Sequence, residues 1–252
     1  MRGPRLLIET ELAPGQRLEL PPDTLRHAVS VLRLRDGAAC RVFDGRGSEH
    51  NATLMLSGRR SGSVQLAGIA APPTTPTLPL RLLQGIARGD HMDLAIQKAV
   101  ELGATEIWPV LSVRSLSGAG HRRLDSKLQH WRGVLNAAAE QCGRNELPRL
   151  LDPQDLLAAL QVLPAPGMRI VADPGGIDPD ALRRDHPDPG AGTISVLVGP
   201  EGGLDPEEVE HARALGFLGL RLGPRILRTE TASIVALTVL QTFYGDLAHA
   251  GA

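Results

Sequence analysis

Residues 218 to 247 read LGLRLGPRILRTETASIVALTVLQTFYGDL. A short apolar run, a Gly-Pro step at 223 and 224, an irregular link and a long apolar helix follow in order, with Thr229 or Thr231 placed to cap the helix. Just upstream, TISVLVGPEGGLDPEE at 193 to 208 uses the same scheme. There Asp205 caps the helix, Pro206 suits its first position and Glu208 completes a capping box. An irregular link between a strand end and a helix start is where ligands sit in open α/β sheets. The usual occupant is phosphate, held by backbone amides. Glu201 would put a carboxylate where that phosphate belongs, and neither G-x-G-x-x-G nor G-x-x-x-x-G-K-[ST] occurs at this junction. The helix face formed by Ile234, Leu237, Val239 and Leu240 reads as core packing.

The same rhythm extends outward. LRLLQGIA, EIWPVLS, MRIVAD, TISVLVG and LGLRLG read as strands, while DHMDLAIQKAVELG, ended by Gly103, and LDSKLQHWRGVLNAAAEQC read as helices. Short apolar runs alternating with helices predict a mostly parallel sheet covered on both faces, an α/β fold. Residues 174 to 192 carry too many Gly and Pro residues for a regular element and read as a loop with one helical turn. The four prolines of APPTTPTLP at 71 to 79 mark a boundary between domains 1–71 and 72–252. In front of it, PPDTLRHAVSVLRL predicts one helix with Leu25, Ala28, Val29 and Leu32 on a single face. The pieces RLLIE, AACRVFDG, NATLMLS and SVQLAGIA predict the strands of a small β-barrel, with a turn at Asp44 and Gly45.

Composition narrows the function classes. The 252 residues are 42% hydrophobic, enough for real cores. The net charge of −1 excludes a general polyanion binder. Its distribution is uneven: ten arginines against seven carboxylates leave +3 over residues 1–71, and 17 bases against 21 acids leave −4 over the rest. That asymmetry permits a nucleic-acid partner for the front segment. Lys98 and Lys127 are the only lysines, a bias that GC-rich coding or phosphate-binding forks would each produce. Cys40 and Cys142 have no C-x-x-C or His-rich spacing around them, so no metal is expected. MRGPRLLIETEL lacks a signal-like apolar core and no run reaches the roughly 20 apolar residues of a membrane span. The expectation is a cytoplasmic protein with no membrane role.

GPEGGLDPEE followed by LGPRILRTETA resembles the paired signature of the SPOUT methyltransferases, in particular the enzymes that methylate N3 of a uridine in 16S ribosomal RNA. MRGPR, HAVSVLRLRDG, FDG, RGDHMDLAIQKAVELG and EQCGRN extend the resemblance across nearly the whole chain. Residues 150 to 192 match poorly, and His91 stands where the family pattern leads one to expect lysine. The resemblance implies a PUA-like RNA-binding domain in front of a trefoil-knotted α/β domain, working as a homodimer on 16S rRNA or the small ribosomal subunit. It further implies an S-adenosylmethionine pocket formed by Ala172, Asp173, Val198, Gly199, Pro200, Glu201, Gly202, Leu222, Gly223, Ile226, Leu227, Arg228, Thr229, Thr231 and Ala232.

This donor accounts for the glutamate. S-adenosylmethionine has no phosphate and carries a positive sulfonium, so a nearby carboxylate is not penalised. The acceptor N3 bears a proton that a base must remove, and a cation would stabilise the charge spread onto the base oxygens. Arg228 is the candidate cation, with Glu201 or Glu230 as the base; the competing readings are an ion pair that fixes the loop, and a Glu201 that bonds its own loop. Arg2, Arg5, Arg33, Arg35, Arg88, Lys98, Arg114 and Arg144 are the cations expected near RNA phosphates. With six aromatic residues in the chain, recognition is expected to rest on backbone shape and a flipped base. The rival classes are a SPOUT enzyme for another rRNA or tRNA site and a non-catalytic RNA-binding assembly factor.

Overall fold

The structure is a computed structural model that describes residues 3–58, 61–72, 75–115 and 121–247, with the backbone alone at 121–123. The chain forms two compact units, one of residues 1–75 with 136–147 and the other of 76–135 with 148–252.

In the first unit, strands β1 (Arg5–Leu7), β2 (Arg17–Glu19), β3 (Ala39–Phe43), β4 (Glu49–Leu56) and β5 (Gly62–Ala71) form one sheet in the order β1-β3-β4-β5-β2. The sheet is curled, with β1 and β2 as its edges. The pleat alternates: on β4, Ala52 and Leu54 point inward while Asn51, Thr53 and Met55 face out. Leu6, Val42, Leu54 and Val64 are fully buried at its centre. The predicted single helix is instead α1 (Pro22–Arg26) followed by a π-helical turn, His27–Val31. Leu32 N–H donates to His27 O at 3.0 Å, and this wider turn breaks the 3.6-residue period. Leu25 and Ala28 therefore pack inside while Val29 is turned outward. At the turn, Asp44 Oδ1 accepts from the N–H groups of Arg46 and Ser48, and Gly45 takes a positive φ of 76°.

In the second unit, β6 (Leu80–Gly85), α2 (Asp90–Glu101), β7 (Ala104–Leu111), α3 (His121–Cys142), β8 (Arg149–Leu150), β9 (Gln154–Asp155), α4 (Leu156–Gln161), β10 (Arg169–Ile177), α5 (Pro179–Asp185), β11 (Ile194–Val198), α6 (Pro206–Ala214), β12 (Leu218–Leu220) and α7 (Thr229–Tyr244) follow one another. α3 begins in this unit and ends in the first. The strands pair in parallel in the order β12-β10-β11-β6-β7-β8, with β9 also on β7. Every residue of β6 and β11 is buried, as a sheet covered on both faces requires. Gly103 ends α2 in the left-handed conformation, φ 79°, as read from the sequence.

Residues 174 to 192 depart from the loop expectation. β10 continues through Pro174-Gly-Gly to Ile177, and Asp178 caps the two turns of α5 by accepting from Ala181 N–H. A close backbone approach between Gly176 and Gly219 of β12 allows the extension, because a Cβ on Gly176 would collide with Gly219. On α7, Leu237 and Leu240 are fully buried, whereas Ile234 and Val239 are only half covered.

Candidate functional site

The order β12-β10-β11 brings together the carboxyl ends of three strands, and with them the loops at 199–205 and 221–228. They enclose a cavity of about 530 Å³. The first loop is held by the helix that follows it. Asp205 Oδ1 accepts from Glu207 N–H at 3.1 Å and Glu208 Oε2 accepts from Asp205 N–H at 2.8 Å, the capping box expected from the sequence. The second loop is anchored differently. Arg228 occupies the N-cap of α7 without a side-chain capping bond, and Thr229 is the first helical residue. The predicted Thr229 or Thr231 cap is thus absent, because the Thr229 hydroxyl is used elsewhere. It donates to Gly199 O of the first loop at 2.6 Å and accepts from Gln84 Nε2 at 2.9 Å.

Of the residues proposed for the donor, Ala172, Asp173, Val198, Gly199, Pro200, Glu201, Leu222, Gly223, Ile226, Leu227, Thr229 and Ala232 line the cavity. Gly202, Arg228 and Thr231 do not. The sequence reading missed Pro174, Gly203, Leu204, Pro206, Val209, Glu210, Arg213, Leu220 and Arg225. The α6 positions among them carry only an ordinary helical pattern, but Pro174, Gly203 and Arg225 adjoin residues already chosen. Arg114, expected on RNA, also borders the cavity, where its guanidinium bonds Gly202 O at 3.1 Å and Asp205 Oδ2 at 3.2 Å.

The wall is mixed, with apolar surface beside charges of both signs. Leu204, Leu222, Ile226 and Leu227 supply apolar surface, and Asp173, Glu201 and Glu210 supply carboxylates. Two of the three bordering guanidiniums are already committed. Arg213 donates to Glu210 and to Asp173, each at 2.7 Å; these hydrogen bonds raise its pKa further and keep it charged. Arg114 is paired with Asp205. These pairings consume Asp173 and Glu210 as well as the guanidiniums, so most of the wall's charges neutralise one another and its apolar surface is left for a ligand without phosphate.

The catalytic candidates separate. Glu201 reaches neither its own loop nor a free position: its Oε1 accepts the backbone N–H of Arg88 at 2.7 Å. Glu230 is 6% exposed, lies outside the cavity wall, and approaches His91 Nδ1 through Oε2 at 3.2 Å, its orientation short of a hydrogen bond. A base aimed at the cavity is not what that position provides. Arg228 is exposed beside the second loop.

The RNA candidates separate too. Arg5 is corrected to a core residue of the first unit: its guanidinium is shared among Glu49, Ala139 O, Glu140 O and Arg144 O and lies 4.3 Å from the Phe43 ring centre. At 5% exposure it has no face left for phosphate. Arg144 is likewise buried. Arg33, Arg35 and Arg88 are exposed, Arg33 at a positive φ of 54° that is unusual for a residue with a side chain. Lys98 is paired with Glu101, and Arg2 lies outside the described residues. Among the described residues no helix is long and apolar enough to cross a membrane, and no group of three His, Cys, Asp or Glu side chains is placed to hold a metal.

Residues 74–241 match the family model described as an RNA methyltransferase domain, and residues 20–66 match that of an RNA methyltransferase PUA domain. The Ribosomal RNA small subunit methyltransferase E of Mycobacterium bovis is 30% identical over 84% of this chain and 80% of its own. That of Bacillus subtilis is 29% identical over 93% of each. A crystal structure of the Neisseria gonorrhoeae protein of that name, bound to S-adenosyl methionine, superposes with a TM-score of 0.90 at 32% identity, covering 98% of this chain and all of that one.

Proposed function

Since the chain belongs to the RNA methyltransferase family, with a PUA domain in front, we propose that it methylates N3 of one uridine in 16S ribosomal RNA, using S-adenosylmethionine. The observation that carries this reading is the closure of two Gly-Pro loops on one largely apolar cavity whose charged residues mostly pair with one another. The relatives named above act, by name, on small-subunit ribosomal RNA, and the Neisseria structure binds the donor itself.

Bound in this cavity, S-adenosylmethionine supplies an electrophilic methyl carbon on a sulfonium. The chain's own residues would hold it: the backbone of 198–203 and 222–227 would offer carbonyls and amides to its polar groups, and the leucine and isoleucine walls would exclude water. Arg228, exposed at the start of α7, is the cation proposed to stabilise charge on the uracil oxygens as the N3 proton leaves. Glu201 is the carboxylate at the cavity and remains the proposed proton acceptor, although its bond to Arg88 N–H equally serves the loop. Glu230 is the weaker candidate, because it is buried against His91 and does not line the cavity.

The exposed Arg33, Arg35 and Arg88 are the proposed phosphate contacts, with the target base flipped out of its stack. The two-domain division, the cytoplasmic setting, the homodimer and the knotted chain path belong to the same proposal. Half-covered Ile234 and Val239 on α7 support the dimer, and the bonds from Thr229 to both Gly199 and Gln84 support a last segment held between earlier loops. Mass spectrometric mapping of ribosomal RNA from a deletion strain tests the reading. One 16S uridine should lose a base methyl; an intact 16S map with a missing tRNA methyl would transfer the activity to tRNA.

A further inference from the structure

We infer that Gln84, a residue outside the cavity wall, sets the spacing of the two donor loops and is a positioning residue for donor binding. This rests on the proposed donor reading. Gln84 sits in the apolar run LRLLQG of β6 with 0% exposure, where an amide is costly unless all of its groups are bonded. All of them are. Its Nε2 donates to Thr229 Oγ1 at 2.9 Å and to Gly85 O at 3.0 Å, while Oε1 accepts from the hydroxyl of Ser233.

Those bonds fix the direction of the chain of hydrogen bonds. Because Thr229 Oγ1 accepts from Gln84, its single proton is free for Gly199 O, the bond observed at 2.6 Å. Gly199 belongs to the first donor loop, while Thr229 follows the second. A leucine at 84 would satisfy the strand and fill the space, yet it would leave the Thr229 hydroxyl without its donor. The amide therefore does something that burial alone does not require: it ties the start of α7 to the first loop across the end of β6. Gly85 completes the arrangement, since any Cβ there would lie 2.5 Å from Pro200 N. Gly199 and Thr229 both line the cavity, so their bond joins the two loops within its wall.

The test is calorimetric titration of S-adenosylmethionine into wild type, Gln84→Met, Thr229→Val and Thr229→Ser, with donor KM and kcat measured on small-subunit RNA. Gln84→Met and Thr229→Val should weaken donor binding about tenfold and raise donor KM in proportion, with kcat at saturating donor changed by less than about threefold. Thr229→Ser keeps the hydroxyl and should bind donor more tightly than Thr229→Val. Thr229→Val retains the volume, so it reads the network even where Gln84→Met fails to fold. A lowered melting temperature with unchanged donor affinity in both variants would reduce the network to a structural role and overturn the inference. A wild-type protein that gives no heat with the donor overturns the donor reading itself.

Discussion

Glu201 accepts the backbone N–H of Arg88 at 2.7 Å, so the acid among the glycines is joined to a loop 113 residues earlier in the chain. An amide oxygen can accept that bond as well as a carboxylate can, but it cannot take a proton. Glu201→Gln is therefore expected to keep donor affinity within about threefold, and Glu201→Ala to weaken it about tenfold by releasing the loop. If Glu201→Gln binds donor normally but loses turnover by more than about a hundredfold, the carboxylate is the base. Single-turnover methylation at saturating donor decides between these outcomes.

His91 Nδ1 lies 3.2 Å from Glu230 Oε2, and that oxygen is buried with no hydrogen bond in the described structure. Removing the ring leaves the carboxylate without its partner. His91→Ala is expected to cost about 1–3 kcal/mol of stability, and His91→Lys to recover most of it by placing an ammonium beside the carboxylate. Chemical denaturation of the two variants measures the difference.

Gly85→Ala places a methyl group 2.5 Å from Pro200 N and 2.8 Å from the Gly199 carbonyl carbon, both backbone atoms of the donor loop. Neither can move aside like the end of a flexible side chain. The variant should lose about 1–3 kcal/mol and bind donor weakly. A protein with wild-type melting and affinity would show that this contact is not fixed.

Glu106 shapes the acid limb of stability. Burial alone would raise its pKa, but hydrogen bonds from Arg81 and Trp108, with the charges of Arg81 and Arg149, lower it below its ordinary 4.5. A carboxyl group depressed in the folded state contributes stability that is present above its unfolded pKa and lost as pH falls through the folded one. Glu106→Gln should therefore flatten the loss of stability below about pH 4.5 and lower stability near neutrality. Thermal melts from pH 3 to 7 give both slopes.

Removing Arg33, Arg35 and Arg88 together should weaken RNA binding and reduce the salt slope by about 2–3 while leaving the melting temperature unchanged. Arg5→Ala should do the reverse. It deserts Glu49 and three backbone carbonyls, so it is expected to cost about 3–5 kcal/mol and to lower melting before it changes the salt slope. Filter binding across a salt series, with melting curves for each variant, separates the two kinds of arginine.

The capped helix at Asp205, the helix end at Gly103, the strand at NATLMLS, and the parallel strands β6 and β11 were all legible in the chain. Each depends on neighbours within a turn or a strand, where hydrophobic period and capping chemistry act over a few residues. The two glycine loops belong with them, since both the Gly-Pro steps and the following helices are local features. The family resemblance carried by those loops named twelve of the residues in the cavity wall in advance.

The remaining assignments depend on bonds between distant segments, which no period encodes. Arg5 reaches Ala139 O across 134 residues, and that reach makes a core residue of an arginine that reads as a surface charge. Thr229 accepts a hydrogen bond from Gln84, 145 positions away, instead of capping its helix. Glu201 and Glu230 look equivalent as acids beside two similar loops, yet one borders the cavity and the other turns to His91. Local propensity settles where helices and strands begin and end, whereas a polar side chain in a nearly dry interior takes whatever partner the assembled fold brings within 3 Å. That partner, and with it the role of the residue, exists only once the strands have been ordered.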